Sequence, residues 1–318
     1  MRITVVGPGR WGSFIAWYLD RAGHEVSLYG RPGSASMRQL KQSRHNACLT
    51  LPDSVQLSES LQSVAEAEVV VIAMPSQALR GFLASLSEQR LQDKIFVLCM
   101  KGLEIGSGKR LSVVASEMLD ASNRIAVWIG PGHVQEFYAG IPNCMVIDSE
   151  EQAVKQLLVE AFSTDLIRFY YGSDLIGNEI GAASKNVIGI AAGMLDGFGL
   201  ATLKGPLMSR GTREIARLIK AMGGSELSAY GLCHLGDYEA TVFSEFSHNR
   251  QFGESFVKGE AFEKLAEGYY TVQALMELAD AHQVELPICR CVYEILYHQA
   301  DPRQELNTLF TRSLKNEF

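Results

Sequence analysis

No apolar run in the 318-residue chain approaches the ~20 residues a membrane-spanning helix needs, so no membrane span is expected. The first residues lack a basic region and a small-residue cleavage site, and their apolar run reads as a strand, so no secretory leader is expected. Cysteine is sparse: six residues, at 48, 99, 144, 233, 289 and 291, with no CxxC or zinc-like spacing. This argues against a disulfide scaffold and a metal site, even where Cys289 and Cys291 flank an arginine, and fits reduced thiols in a cytoplasmic protein. Positive charge is also short, 29 Lys and Arg against 36 Asp and Glu, for a net −7. Nucleic acid is therefore not expected as a partner, and an anionic ligand must be drawn by local lysines and arginines. Internal repeats and low-complexity segments are absent.

What the chain does have is hydrophobic residue, 47% of the total, enough over this length for two separate cores. Its most informative segment comes first. Ile3-Thr4-Val5-Val6 runs directly into Gly7-Pro8-Gly9-Arg10-Trp11-Gly12, and an apolar stretch from Phe14 to Leu19 follows. That is strand, glycine turn and helix with GxGxxG spacing. Gly7 permits the tight turn, Gly9 lets a pyrophosphate reach bare backbone, and Gly12 lets helix and strand pack closely. The phosphates would sit at the helix N-terminus, where N–H groups and the dipole favour negative charge. The next strand, His24 to Tyr29, ends in Gly30-Arg31 without the carboxylate that usually binds the ribose of NAD. Arg31 suits a 2′-phosphate instead, so NADP(H) is favoured, with NAD(H) also accommodated in a relaxed site. The alternative for Arg31 is a solvated loop residue.

Further apolar runs, at Val69–Ala73, Ile95–Cys99, Ile125–Ile129, Cys144–Ile147 and Leu166–Tyr170, alternate with helical stretches. The pattern predicts a largely parallel sheet with helices on both faces and a ligand crevice at the loops after its strands. Beyond Gly172 only helical periodicity remains, with Ser173 or Asp174 as the N-cap of a long helix through Leu195. The expected fold is thus α/β: a Rossmann-like, doubly wound, mostly parallel sheet over residues 1–172, then an all-α domain over 173–318. An apolar stretch at Val292–Tyr297 suits either that domain's core or a homodimer face.

Residues 177–193 are rich in small side chains, which let helices or a cofactor approach closely, and Lys185 sits in their midst. A lysine in an apolar helix is costly to bury unless it is paired or used, which makes it a candidate for polarising a carbonyl and exchanging a proton with it. Taken alone, it also reads as a snorkelling surface lysine.

Taken with Lys101-Gly102, Gly130-Pro131, Ser184-Lys185-Asn186, Arg210-Gly211 with Glu214, Leu235-Gly236-Asp237, Asn249-Arg250 with Phe252-Gly253, Glu267-Gly268 and Leu286-Pro287-Ile288-Cys289, the glycine turn resembles the bacterial NAD(P)-dependent glycerol-3-phosphate dehydrogenases over nearly the whole chain. The resemblance implies reduction of dihydroxyacetone phosphate to sn-glycerol 3-phosphate, which feeds phospholipid synthesis. It implies Lys185 as proton donor, Lys101 as a second lysine reaching substrate and cofactor, and Asp237 near both Lys185 and the substrate. Gly130, Asn186, Ser247, His248, Asn249 and Arg250 are implied for the phosphorylated substrate, and Thr241, one helical turn past Asp237, would face the same cleft. Gly7, Gly9, Arg10, Trp11, Gly12, Arg31, Lys101, Val134 and Glu267 are implied for the cofactor. Ordinary structural roles stand beside these: a buried hydroxyl for Thr241, a helix-start carboxylate for Glu267.

Two positions depart from the family pattern. Gly130-Pro131-Gly132-His133-Val134 stands where the family has Gly-Pro-Ser-Phe-Ala, so a serine hydroxyl is missing at Gly132. His248 replaces the first arginine of Arg-Asn-Arg, giving a shorter and mostly neutral group near the phosphate. These departures motivate two alternatives: the same fold and cofactor acting on a different small carbonyl compound, and a non-catalytic NADP(H) sensor. Two lysines can supply the electrophilic assistance without a metal.

Overall fold

A computed structural model describes residues 1–311. The chain forms two compact units, Met1–Lys101 with Lys109–Glu179, and Gly102–Gly108 with the chain from Ile180 onward.

The first unit holds one eight-stranded sheet: β1 (Arg2–Val6), β2 (Glu25–Tyr29), β3 (Gln56–Ser58), β4 (Val69–Ile72), β5 (Ile95–Leu98), β6 (Arg124–Ile129), β7 (Asn143–Asp148) and β8 (Ile167–Tyr171). Their spatial order is β3-β2-β1-β4-β5-β6-β7-β8. All neighbours run parallel except β6 and β7, which are antiparallel with Trp128 opposite Ile147. The order reverses between β1 and β4, which puts the crevice of a doubly wound sheet beside the end of β1. The central strands are continuous β-branched runs because both faces are covered, as the fully buried Val69-Val70-Val71-Ile72 shows. Helices α1 (Arg10–Arg21), α2 (Ala35–Ser43), α3 (Gln62–Glu66), α4 (Leu79–Ser85), α5 (Leu111–Met118), α6 (Val134–Tyr138) and α7 (Gln152–Phe162) complete the unit. Phe14, Tyr18, Trp128, Phe137, Phe162 and Phe169 form the aromatic part of its core. Strand β3, three residues with exposed and half-buried side chains, is one that the apolar runs did not indicate.

The second unit is helical, and among the described residues no strand follows β8. Its helices are α8 (Leu175–Gly197, whose first residues belong to the first unit), α9 (Lys204–Ala221), α10 (His248–Lys258), α11 (Glu267–Ala281), α12 (Pro287–His298) and α13 (Pro302–Thr311). Asp174 caps α8 as expected, its Oδ1 accepting the Gly177 N–H at 3.1 Å. The small residues of α8 serve helix packing. A Cβ at Gly193 would overlap the Arg250 carbonyl, and one at Gly253 would overlap that of Ile190, so α8 and α10 meet backbone to backbone. In α12, Val292 and Ile295 are buried in the unit's own core. Segment 102–108 groups with this unit because Gly108 lies against Leu278 and the Ala274 carbonyl of α11. None of the helices described is long and apolar enough to cross a membrane.

Candidate active site

In the first unit the ends of the parallel strands carry Gly7 after β1, Arg31 after β2 and Lys101 after β5; Gly130 follows β6. Gly7 adopts φ +108°, and its N–H is bonded to the Tyr29 carbonyl at 2.9 Å. A side chain at Gly7 would overlap the Ala73 carbonyl, and one at Gly12 would overlap the Gly7 carbonyl. Gly9 differs: nothing stands within 4 Å of the place its Cβ would take. The turn is therefore closed on the protein side and open at the one glycine where a phosphate needs bare backbone. Gly9 is also the N-cap of α1 and makes no side-chain cap, so the first N–H groups of that helix face a site suited to an anion.

Arg10 is exposed at the start of α1, and Trp11 is half-buried, its ring 5.2 Å from that of Phe14. Arg31 is exposed, beside the buried Tyr29 ring. Lys101 donates to the Gly130 carbonyl at 2.5 Å, so two residues 29 apart in sequence are in direct contact. Val134 is 3% exposed as the first residue of α6. Gly132 takes φ +136°, and a side chain there would overlap the Phe137 ring.

In the second unit Lys185 is 7% exposed, in the middle of α8. Its Nζ lies 2.8 Å from Asp237 Oδ2 and 2.6 Å from Thr241 Oγ1. Asp237 closes a 3-10 turn, Leu235–Asp237, and Thr241 belongs to a single π-turn, Glu239–Phe243, which offsets the backbone and brings both oxygens to one ammonium. The Thr241 hydroxyl donates to the Asp237 carbonyl at 2.8 Å, so the lone pair it offers Lys185 is fixed in direction. Lys185 is thus a buried, compensated cation, and the surface reading is excluded.

Asn249 links α10 to its neighbours. Its Oδ1 accepts the Gly268 N–H at 2.9 Å, and its Nδ2 donates to Asn186 Oδ1 at 3.0 Å. The backbone donor settles which end of each amide is nitrogen, so the Asn186 Nδ2 is a donor directed by this chain of bonds. Ser247 is the N-cap of α10, its Oγ accepting from the Arg250 N–H at 3.3 Å, which leaves its own proton to give. His248 and Arg250 follow in the first turn. His248 Nδ1 lies 3.2 Å from the Leu265 carbonyl. Arg250 Nε donates to the Ser244 carbonyl at 3.1 Å, and its Nη1 meets Asp196 at 2.7 Å and Glu254 at 3.1 Å. Glu267 opens α11, where a carboxylate also suits the helix dipole.

The structure therefore brings together Lys101 with Gly130, Lys185 with Asp237 and Thr241, and Asn186 with Asn249. Four residues that sequence reasoning did not single out belong beside them. Asp196 and Lys204 anchor Arg250, Lys204 Nζ sharing Asp196 Oδ2 at 2.6 Å. His234 and Tyr238, both buried, flank the Asp237 turn. The signal that exposed Lys185, a charge in a largely apolar helical run, also marks Asp196 at the end of the same run. Among the described residues no cluster of His, Cys, Asp or Glu is arranged to hold a metal ion.

Hydride chemistry on a carbonyl requires a dinucleotide site and a proton donor, and the class these two units define is a nicotinamide-dependent dehydrogenase. Residues 2–155 match the N-terminal model, and 174–307 the C-terminal model, of NAD-dependent glycerol-3-phosphate dehydrogenase. The chain is 36% identical to a glycerol-3-phosphate dehydrogenase [NAD(P)+] of Pelodictyon phaeoclathratiforme, over 100% of this chain and 99% of that one. It is 37% identical to the enzyme of the same name from Chlorobium phaeobacteroides, with the same coverage. The crystal structure of the glycerol-3-phosphate dehydrogenase of Coxiella burnetii superposes with a TM-score of 0.90 at 27% identity, covering 98% of each chain. The chain belongs to the NAD-dependent glycerol-3-phosphate dehydrogenase family.

Proposed function

We propose that the protein reduces dihydroxyacetone phosphate to sn-glycerol 3-phosphate with NAD(P)H as reductant, NADPH preferred. The observation that carries the reading is the ammonium of Lys185, 7% exposed and held between Asp237 and Thr241. A bound nicotinamide nucleotide supplies the hydride, and the glycine turn fits its pyrophosphate because the Gly9 face is open. Lys185 gives an N–H to the carbonyl oxygen and passes its proton to that oxygen as negative charge builds there. The carbonyl carbon gains hydride, the oxygen gains the lysine proton, and the neutral amine recovers a proton from water. In reverse the amine is the base. Asp237 compensates the ammonium charge between turnovers, and Thr241 aims it.

For the phosphate, the Ser247 hydroxyl and the Arg250 Nη2, whose neighbouring nitrogens are committed to Ser244, Asp196 and Glu254, are the donors best prepared. Asn186, Asn249 and His248 complete the substrate side, with Gly130 and Lys101 assigned from the first unit. Residues 1–172 are assigned to the nucleotide and 173–318 to the substrate. Arg31, exposed at the end of β2 with no ion pair of its own among the described residues, supports the 2′-phosphate preference. Free cysteines throughout fit work in the cytoplasm.

The test is NADPH consumption with dihydroxyacetone phosphate, beside NADH at matched concentration, for the wild type and Lys185→Ala. Saturable turnover lost in the variant, with nucleotide binding retained, is expected. Near-normal turnover in the variant removes Lys185 from the mechanism, and an NADH rate equal to that with NADPH removes the role of Arg31.

A further inference from the structure

We propose that His234 is a positioning residue for the proton transfer: its two ring nitrogens tie the Asp237 turn to the stretch of α8 that carries Lys185. His234 is fully buried and immediately precedes the Leu235–Asp237 turn. Its Nδ1 lies 2.8 Å from the Gly181 carbonyl. A carbonyl only accepts, so Nδ1 carries the proton. Its Nε2 lies 2.7 Å from the Tyr238 hydroxyl, which donates to it when the ring is neutral. Burial pushes the imidazole down to about 4, which keeps it neutral at physiological pH. Of the titratable groups around it, Asp237 favours its protonation and Lys185 opposes it, while Glu214 and the Cys289 thiol flank the Tyr238 end.

The two bonds bracket the catalytic pair. Gly181 lies one helical turn before Lys185, and its carbonyl is the one the Lys185 amide uses in the helix ladder. A Cβ at Gly181 would stand 3.0 Å from that of His234, so glycine there is what lets the imidazole come this close. On the other side, Tyr238 directly follows Asp237, and its carbonyl accepts from Thr241 N at 3.0 Å and Val242 N at 2.6 Å, which holds the π-turn. Both oxygens that hold the Lys185 ammonium therefore sit on backbone that His234 fastens to α8. His234 itself touches neither oxygen: it acts through placement.

The inference rests on Lys185 as acid and base, and turnover of dihydroxyacetone phosphate by the wild type beside Lys185→Ala tests that separately. His234→Leu removes both bonds; Tyr238→Phe keeps the inner one and removes the outer one, along with the hydrogen bond between Tyr238 and Thr212. His234→Asn keeps a donor near the Nδ1 position. Because misplacing a reacting group by an ångström can cost about 10²-fold, His234→Leu is expected to lower kcat by roughly that factor. The nucleotide KM should stay within about twofold, and the pH profile of kcat should shift because the lysine has lost its fixed partners. Tyr238→Phe should fall between, and His234→Asn should recover most of the rate. Wild-type kcat and pH profile in Tyr238→Phe, with only a lower Tm, would make His234 a core filler and overturn the proposal, even if His234→Leu fails to fold; so would a folded His234→Asn no faster than a folded His234→Leu. One readout needs no turnover: in 15N spectra of the wild type the His234 ring should be Nδ1-protonated with a bare Nε2 at pH 7. The opposite tautomer overturns the proposal whatever the substrate proves to be.

Discussion

The Phe137 ring occupies the space in which a side chain at Gly132 would stand. Phe137 is 1% exposed and stacks on Phe14 with centroids 5.1 Å apart, while Gly132 takes φ +136°. The serine missing here relative to the family pattern is therefore more than a deleted hydroxyl: the local backbone and the aromatic core are built around glycine. Gly132→Ser should not strengthen substrate binding. It should cost roughly 3 kcal/mol or more, from the strained φ together with overpacking against Phe137. Thermal melts and the KM for dihydroxyacetone phosphate check this, and a lower KM with an unchanged Tm would count against it.

Arg250 and Lys204 meet on a single oxygen of Asp196, two cations on one carboxylate, with all three side chains no more than 15% exposed. The carboxylate holds the guanidinium by Nη1 and so sets where Nη2 points. Asp196→Asn keeps the shape but removes the charge that offsets the two cations. Stability should fall by about 3 kcal/mol, as when a buried pair loses one partner. The KM for dihydroxyacetone phosphate should rise about tenfold, the equivalent of one charge-assisted bond, while the nucleotide KM holds. An unchanged substrate KM would place Arg250 outside the phosphate site.

Glu214 shows how a motif can be carried by structure instead of chemistry. Its carboxylate, 2% exposed, accepts the N–H groups of Ile288 at 2.9 Å and Cys289 at 3.0 Å, at the start of α12. Two segments singled out in the sequence, one around Arg210-Gly211-Glu214 and one at Leu286-Pro287-Ile288-Cys289, are thus the two halves of a helix cap. Burial pushes the Glu214 carboxyl up, against the pull of the two N–H groups. Glu214→Ala leaves two buried donors bare and should cost about 3 kcal/mol; Glu214→Gln, which retains one acceptor, should cost less. A Glu214→Ala melting curve equal to that of the wild type would show that the cap contributes nothing.

What could be read beforehand follows from range. The glycine turn is local, so its three glycines could be assigned from spacing, and each stands where the turn physics requires. The buried strands announced themselves as β-branched runs. The direction of β7 did not, because an apolar run is the same read from either end, and β3 is too short and too polar to register. Segment 102–108 follows a strand of the first unit in the chain, yet it packs by Gly108 on α11, a contact more than 160 residues away. In the site, Lys185 was legible as a charge in an apolar helix, but its partners lie 52 and 56 positions on: the family resemblance supplied Asp237, and Thr241 followed from its place one helical turn further along. His234 carried no motif at all; its role depends on a carbonyl 53 residues earlier.

His234 also makes stability depend on pH, with a definite sign. An unfolded histidine titrates near 6.5, and the folded one near 4, so between these values the unfolded chain binds more protons. Stability from this group is complete above about pH 6.5 and is lost as pH falls toward 4. The shift corresponds to about 3 kcal/mol at most, at roughly 1.4 kcal/mol per unit. Urea titrations between pH 7 and 4 should show that slope in the wild type. His234→Asn, which cannot titrate, should be less stable at pH 7 but lose less on acidification, so the two curves converge near pH 4. Parallel curves would mean that the imidazole is solvated or already protonated in the folded protein, and the Nδ1 bond to Gly181 would then have to coexist with a charged ring.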